Sequence, residues 1–181
     1  MPRVRFLVAA GIAAVILIAT AGHPQATKTD TKLPDPVAKT FKKAFPKGEI
    51  QKVDSEDENG VTVYDFEFKE GDTEKETDIA ADGTMLEFTV VVAADAVPAA
   101  AMKSISVAAQ GATIERLEHI EIQYEIKDGR VVKLPKVVTH YAAEMAKGKQ
   151  RAEIVVKLDG AVVDPAKWDQ AEVEPGDKPK D

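Results

Sequence analysis

The sequence predicts an α+β protein of two tandem repeats, each a helix packed on an antiparallel sheet of about four strands. Three observations predict it. A spaced set of turn residues occurs twice, at Tyr64, Gly71 and Asp82-Gly83 and again at Tyr141, Gly148 and Asp159-Gly160. Apolar and polar residues alternate with a period of two over several stretches, as half-buried strands require. Each copy opens on an apolar-Pro pair, Leu33-Pro34 or Val97-Pro98, followed by a stripe of helical period.

Taken in order, residues 1–21 read as a secretory signal peptide. Arg3 and Arg5 precede an apolar run from Phe6 to Ile18, and Ala19-Thr20-Ala21 offers small residues for cleavage before Gly22. The run is short for a membrane span, so the mature form is expected to have none, although a retained anchor is the alternative. Residues 22–32, with no apolar period, read as a flexible lead-in.

The first repeat is expected over residues 33–93. Val37, Phe41, Ala44 and Phe45 share one helical face, with Lys39, Lys42, Lys43 and Lys47 on its wet side. Tyr64, Phe66 and Phe68 then alternate with Asp65, Glu67 and Lys69, and Leu86, Phe88, Val90 and Val92 continue the period. Asp-Gly at residues 82–83 is a hairpin signal. The charged run from Asp54 to Gly60 superficially resembles a calcium loop, but Phe66 falls where a bidentate Glu is needed, so a charged hairpin turn is expected.

The second repeat is expected over residues 97–168. Ala101, Ile105, Ala108 and Ala109 form a weaker stripe ended by Gly111. Ile120, Ile122, Tyr124 and Ile126 alternate with His119, Glu121, Gln123, Glu125 and Lys127. The stretch EIQYEIKDGRVVKLP has no counterpart in the first copy and reads as an enlarged hairpin turning at Asp128-Gly129. Residues 169–181, rich in Pro, Gly and charge, read as a disordered tail.

The Leu-Pro-led helix, the tyrosine strand, the Gly turn and the closing Asp-Gly, in that order and twice over, resemble the PepSY-like domains. They are similar in particular to the exported group related in fold to β-lactamase inhibitory proteins. The resemblance covers roughly residues 33–163 and implies an extracytoplasmic binding or inhibitory module without catalytic residues. The inserted hairpin and Ala142-Ala143 depart from the pattern.

Composition narrows the function. The chain has 181 residues and a net charge of −7, which repels phosphate backbones and argues against nucleic acid as a partner. With no cysteine there is no disulfide, thiol catalysis or thiolate metal site. Ser55, Ser104 and Ser106 lack a nucleophile-elbow setting, His23 lies in the lead-in, and His119 occupies a polar strand position. His140 and Glu144 would share a face on a helix, but the adjoining Val137-Val138 and Tyr141 favour a strand, and no third ligand is in view. No catalytic residue, metal ligand or cofactor is therefore expected, and the chain is not expected to be an enzyme.

What remains is an exported, periplasmic or extracellular protein-binding module. It would act as an inhibitor or modulator of an envelope or secreted protein such as a peptidase, with the partner's identity open. His119, Glu121 and Gln123 are the expected binding residues, on the outer face of the sheet. The alternative is an envelope protein that binds a small ligand or a metal ion such as calcium.

Overall fold

A computed structural model describes residues 33–170. Residues 1–32, read from sequence as a signal peptide and a lead-in with His23, and residues 171–181 of the expected tail lie outside the described residues, whereas Asp169 and Gln170, expected in that tail, form a short strand.

Helix α1 (Asp35–Ala44) is followed by strands β1 (Glu49–Glu58), β2 (Val61–Glu70), β3 (Thr73–Ala80) and β4 (Met85–Val91). After a short 3₁₀ turn come α2 (Ala99–Ala109), β5 (Thr113–Lys127), β6 (Arg130–Lys147), β7 (Gln150–Lys157), β8 (Val162–Asp164) and β9 (Asp169–Gln170). All strands belong to one antiparallel sheet in the order β1 to β8, with β9 pairing to β7.

This arrangement corrects the predicted fold class. The chain is a mostly-β fold with two short helices on one sheet, not two tandem helix-plus-sheet repeats. The reason lies in β4 and β5, which pair directly from Glu87↔Ile122 to Val91↔Glu118. The hydrogen-bond ladder therefore continues across the middle of the chain. Alternation within a strand shows that it has two faces, but not which strand lies beside it.

Both helices start on proline. Pro34 and Pro98 hold the extended dihedrals of a cap residue, and their carbonyls accept from the N–H of Ala38 and Met102. Helix α2 stops where Gln110 and Gly111 both take positive φ. Val37 and Phe41 of α1 bury against Val53, Phe66, Phe68 and Ile79. The rings of Phe41 and Phe66 stack at 4.6 Å, and Phe68 meets Phe41 edge-on at 5.0 Å. Ala101, Ile105 and Ala109 of α2 bury against Leu117, Tyr141, Ala143, Met145, Ile154 and Val156. The alanine-rich stripe lets this helix lie close to the strands.

Candidate functional site

Residues paired across an antiparallel ladder share a face, so the register assigns every side chain to one side of the sheet. Phe66, Thr77, Phe88, His119, Tyr141 and Val156 lie on the face that carries the helices. Their strand neighbours point to the opposite, helix-free face.

That second face is not a wet surface throughout. Ile120, Ile122, Ala142 and Val155 are buried on it, with Leu134, Val138 and Val163 packed alongside. Val63, Ala80 and Leu86 are buried near its other end, against Tyr124, Ile126 and Val131. No helix contributes to either cluster, so the burial comes from strands curling over their own sheet. Beyond the bulge between Ile122 and Tyr124, the tip of the β5–β6 hairpin reaches across to the β1–β2 turn. A β-carbon built on Gly129 would lie 3.3 Å from the carbonyl oxygen of Asn59. The helix-free face thus ends in an apolar wall where the hairpin tip meets the β1–β2 turn.

This face is also acidic. Asp54 lies opposite Asp65, Asp65 opposite Asp78, and Asp78 opposite Glu87, so one row carries a carboxylate on each of four consecutive strands. Like charges directly opposite one another destabilise a sheet. The adjacent row holds Lys52, Glu67, Glu76 and Thr89, then Ile120, His140 and Lys157. Glu118, Arg116, Glu144, Glu153 and Arg151 follow on β5 to β7.

Three of the cations on this face are already engaged, while Lys157 makes no ion pair among the described residues. Lys52 lies 2.5 Å from Asp54 and 3.2 Å from Glu67. Arg116 pairs with Glu118 at 2.6 Å, with Glu74 at 3.6 Å and with Glu76. Arg151 pairs with Glu115. Asp65 and Asp78 have no ion pair or hydrogen bond of their side chains among the described residues. Asp78 keeps some solvent-accessible surface yet is surrounded by protein on nearly every side.

The carboxyls respond to this setting. Burial, then the charges of Glu76 and Glu67, pushes Asp65 up to about 7. Burial also pushes Glu87, Glu118 and Glu153 up to about 7. Burial, with Glu87, Asp65, Glu58 and Glu56 nearby, holds Asp78 well above the usual carboxylate range. On the same face His140 is buried, and desolvation with the charge of Lys157 lowers its pKa.

The residues singled out from sequence fall elsewhere. His119 and Glu121 share the helix-bearing face with Tyr141 and Thr139, and the His119 and Tyr141 rings are 5.3 Å apart. This reverses the expected facing, because Ile120 and Ile122 serve the helix-free face while Leu117 meets α2. Gln123 falls at the bulge between Ile122 and Tyr124. His140 and Glu144 lie on one strand four residues apart, about 13 Å along it, too far to share a ligand. Ser104 donates its hydroxyl to the carbonyl of Gly160 at 2.7 Å. Of the acidic segment expected as a hairpin turn, Asp54 to Glu58 instead belong to β1 and only Asn59-Gly60 form the turn, where the N–H of Gly60 donates to Asp57 at 2.9 Å. Among the described residues no trio of His, Asp and Glu is arranged to hold a metal ion.

The acidic row itself was hidden in the sequence. Each of its members is simply the polar partner in an alternating strand, and only the register brings the four together.

No protein-family model matches the sequence, and no match is found among curated proteins. The fold is nevertheless shared with solved structures. A protein of Bacteroides eggerthii described as periplasmic aligns over 75% of this chain and 88% of its own, with a TM-score of 0.54 and 15% identity. A DUF2874 family protein of Bacteroides uniformis aligns over the same shares, with a TM-score of 0.53 and 15% identity. A BLIP-like protein of Bacteroides fragilis aligns over 78% of this chain and 90% of its own, with a TM-score of 0.50 and 13% identity. At these identities the likeness concerns fold, and this chain has the fold of a BLIP-like protein.

Proposed function

We propose that this chain is an exported, non-catalytic protein-binding module of PepSY-like ancestry, which takes its partner on the helix-free face of its sheet. The observation that carries this reading is the row of four in-register carboxylates. A sheet selected for stability alone would not set like charges opposite one another on four consecutive strands, and such local conflict is expected where a surface serves function. The structural neighbours support it, one being described as periplasmic and another as BLIP-like. The basic n-region and apolar run at the N-terminus support export, and no helix among the described residues is long and apolar enough to cross a membrane. The finer role is inhibition or modulation of an envelope or secreted protein such as a peptidase.

Lysines placed on the two faces provide the test. Partner proteins retained from envelope and secreted fractions are cross-linked through amines and the linked peptides identified. Docking on the helix-free face links the partner to Lys52 and Lys157, which lie on that face. Links confined to Lys39, Lys42, Lys43 and Lys103 on the two helices would place the partner elsewhere and overturn the reading.

A further inference from the structure

The spacing of the acidic row and the apolar cluster beside it say what chemistry fits this face. Neighbouring strands lie about 4.8 Å apart, so the row from Asp54 to Glu87 crosses three intervals, roughly 14 Å. An extended peptide advances about 3.4 Å per residue, so side chains at i, i+2 and i+4 also span roughly 14 Å. A segment lying across the strands with alternate basic residues matches the row in both length and sign.

Two further observations fit a lysine or arginine better than a bare ion. Asp78, enclosed on nearly every side, has no donor among the described residues. Beside the row, Val63 and Ala80 stand two residues from Asp65 and Asp78 and pack with Tyr124, Ile126 and Val131. An apolar wall beside an acidic row suits a side chain with an aliphatic stem and a charged end. Lys133 already lies over the Tyr124 ring, 6.0 Å from its centroid.

Resting on the reading that the helix-free face is the docking surface, we propose that the Asp54–Asp65–Asp78–Glu87 row is a binding track for an extended basic segment of a protein partner, with lysine or arginine at alternate positions. The groups facing the row are Glu56 and Glu58 of β1, Glu67 of β2, Glu76 of β3 and Glu118 of β5, with Lys52 and Arg116 held by their own carboxylates. Apart from Lys133 at the apolar wall, the remaining charge facing the row is negative, and Asp54 is itself paired with Lys52. Because burial raises these carboxyls toward neutral pH, occupancy should weaken as the medium is acidified.

The test uses a fluorescent five-residue peptide of alternating lysine and threonine, and an isomer with the three lysines consecutive. Binding to the full chain is followed by anisotropy at low ionic strength. Tighter binding of the alternating peptide at about pH 8, falling about tenfold at about pH 5.5, is expected. The double variant Asp65→Asn with Asp78→Asn should lose about tenfold, while the charge-matched pair Asp72→Asn with Asp95→Asn, at exposed turn positions, should change less than about twofold. Melting curves verify that both variants fold.

Equal losses in the two double variants, or no preference between the peptide isomers, would reduce the effect to net charge and overturn the proposal. Calcium that raises the melting temperature and displaces the peptide would assign the row to a cation instead, and also overturn it. If the peptide fails while a partner still cross-links to Lys52 and Lys157, the basic-segment inference falls and the docking face stands.

Discussion

At the scale of single residues, the least comfortable group in the protein is Asp78. It faces Asp65 on one side and Glu87 on the other, without a donor of its own among the described residues. Replacing it by asparagine keeps the shape and removes the charge. Asp78→Asn is therefore expected to stabilise the fold by about 1 kcal/mol at pH 8, raising Tm by about 3 °C, and to have a smaller effect at pH 5, because burial favours the protonated carboxyl as the medium is acidified. Thermal melts of the variant at both values check this, and a variant less stable at pH 8 would mean that the charge has a compensating partner. Such a residue cannot be recognised from sequence, since Asp65, Glu67, Asp78 and Glu87 look like the solvated half of ordinary strands. Turn chemistry is different, because it is local. The positive φ of Gly71, Gly83, Gly148 and Gly160 was legible from spacing alone.

At the scale of elements, two glycines hold the helices to the strand turns by the same device. The Asp82-Gly83 turn lies against α1, where Thr40 donates to the carbonyl of Gly83 at 2.7 Å. The Asp159-Gly160 turn lies against α2, where Ser104 donates to the carbonyl of Gly160 at 2.7 Å. A β-carbon at Gly160 would meet the Ala100 carbonyl oxygen at 2.5 Å, and the residue has φ +83°. Gly160→Ala is expected to cost at least about 2 kcal/mol, more than Gly60→Ala, which needs the same sign of φ but has open space around it. Ser104→Ala should cost about 1 kcal/mol through the lost hydrogen bond. Denaturant melts of the three variants give the comparison, and equal costs at Gly60 and Gly160 would show that backbone conformation, not the helix contact, sets the penalty. The helices themselves were readable from Pro34, Pro98 and their apolar stripes. The facing of β5 was not, because a strand with Leu117 on one side and Ile120 and Ile122 on the other is apolar on both. Reading it as one-sided put His119 and Glu121 on the wrong face.

At the scale of the whole molecule, the continuous sheet concentrates acidic groups from β1 to β7 on its helix-free face, and this sets how stability depends on pH. A carboxyl whose pKa is higher in the folded chain than in the unfolded one binds more protons when folded, between those two values. Its contribution is full below the unfolded pKa and is lost as pH rises through the folded one. Asp65, Glu87, Glu118 and Glu153, each near 7, and Asp78, raised well above the usual carboxylate range by burial, all act in this direction. His140, whose pKa burial lowers, acts oppositely and removes stability as pH falls through its unfolded value. Five carboxyls outweigh one histidine, so Tm is expected to be highest near pH 5 and to fall toward pH 8 by about 5 °C or more. General self-repulsion of a chain with net charge −7 would give a trend of the same sign, but salt separates the two causes. At about 0.5 M salt the Debye length is under about 5 Å, which screens scattered surface charge while leaving enclosed neighbours on adjacent strands coupled. A pH dependence that survives high salt, and shrinks when Asp65 and Asp78 are both made asparagine, would locate its origin in the acidic row. One that vanishes with salt would locate it in the overall charge of the chain.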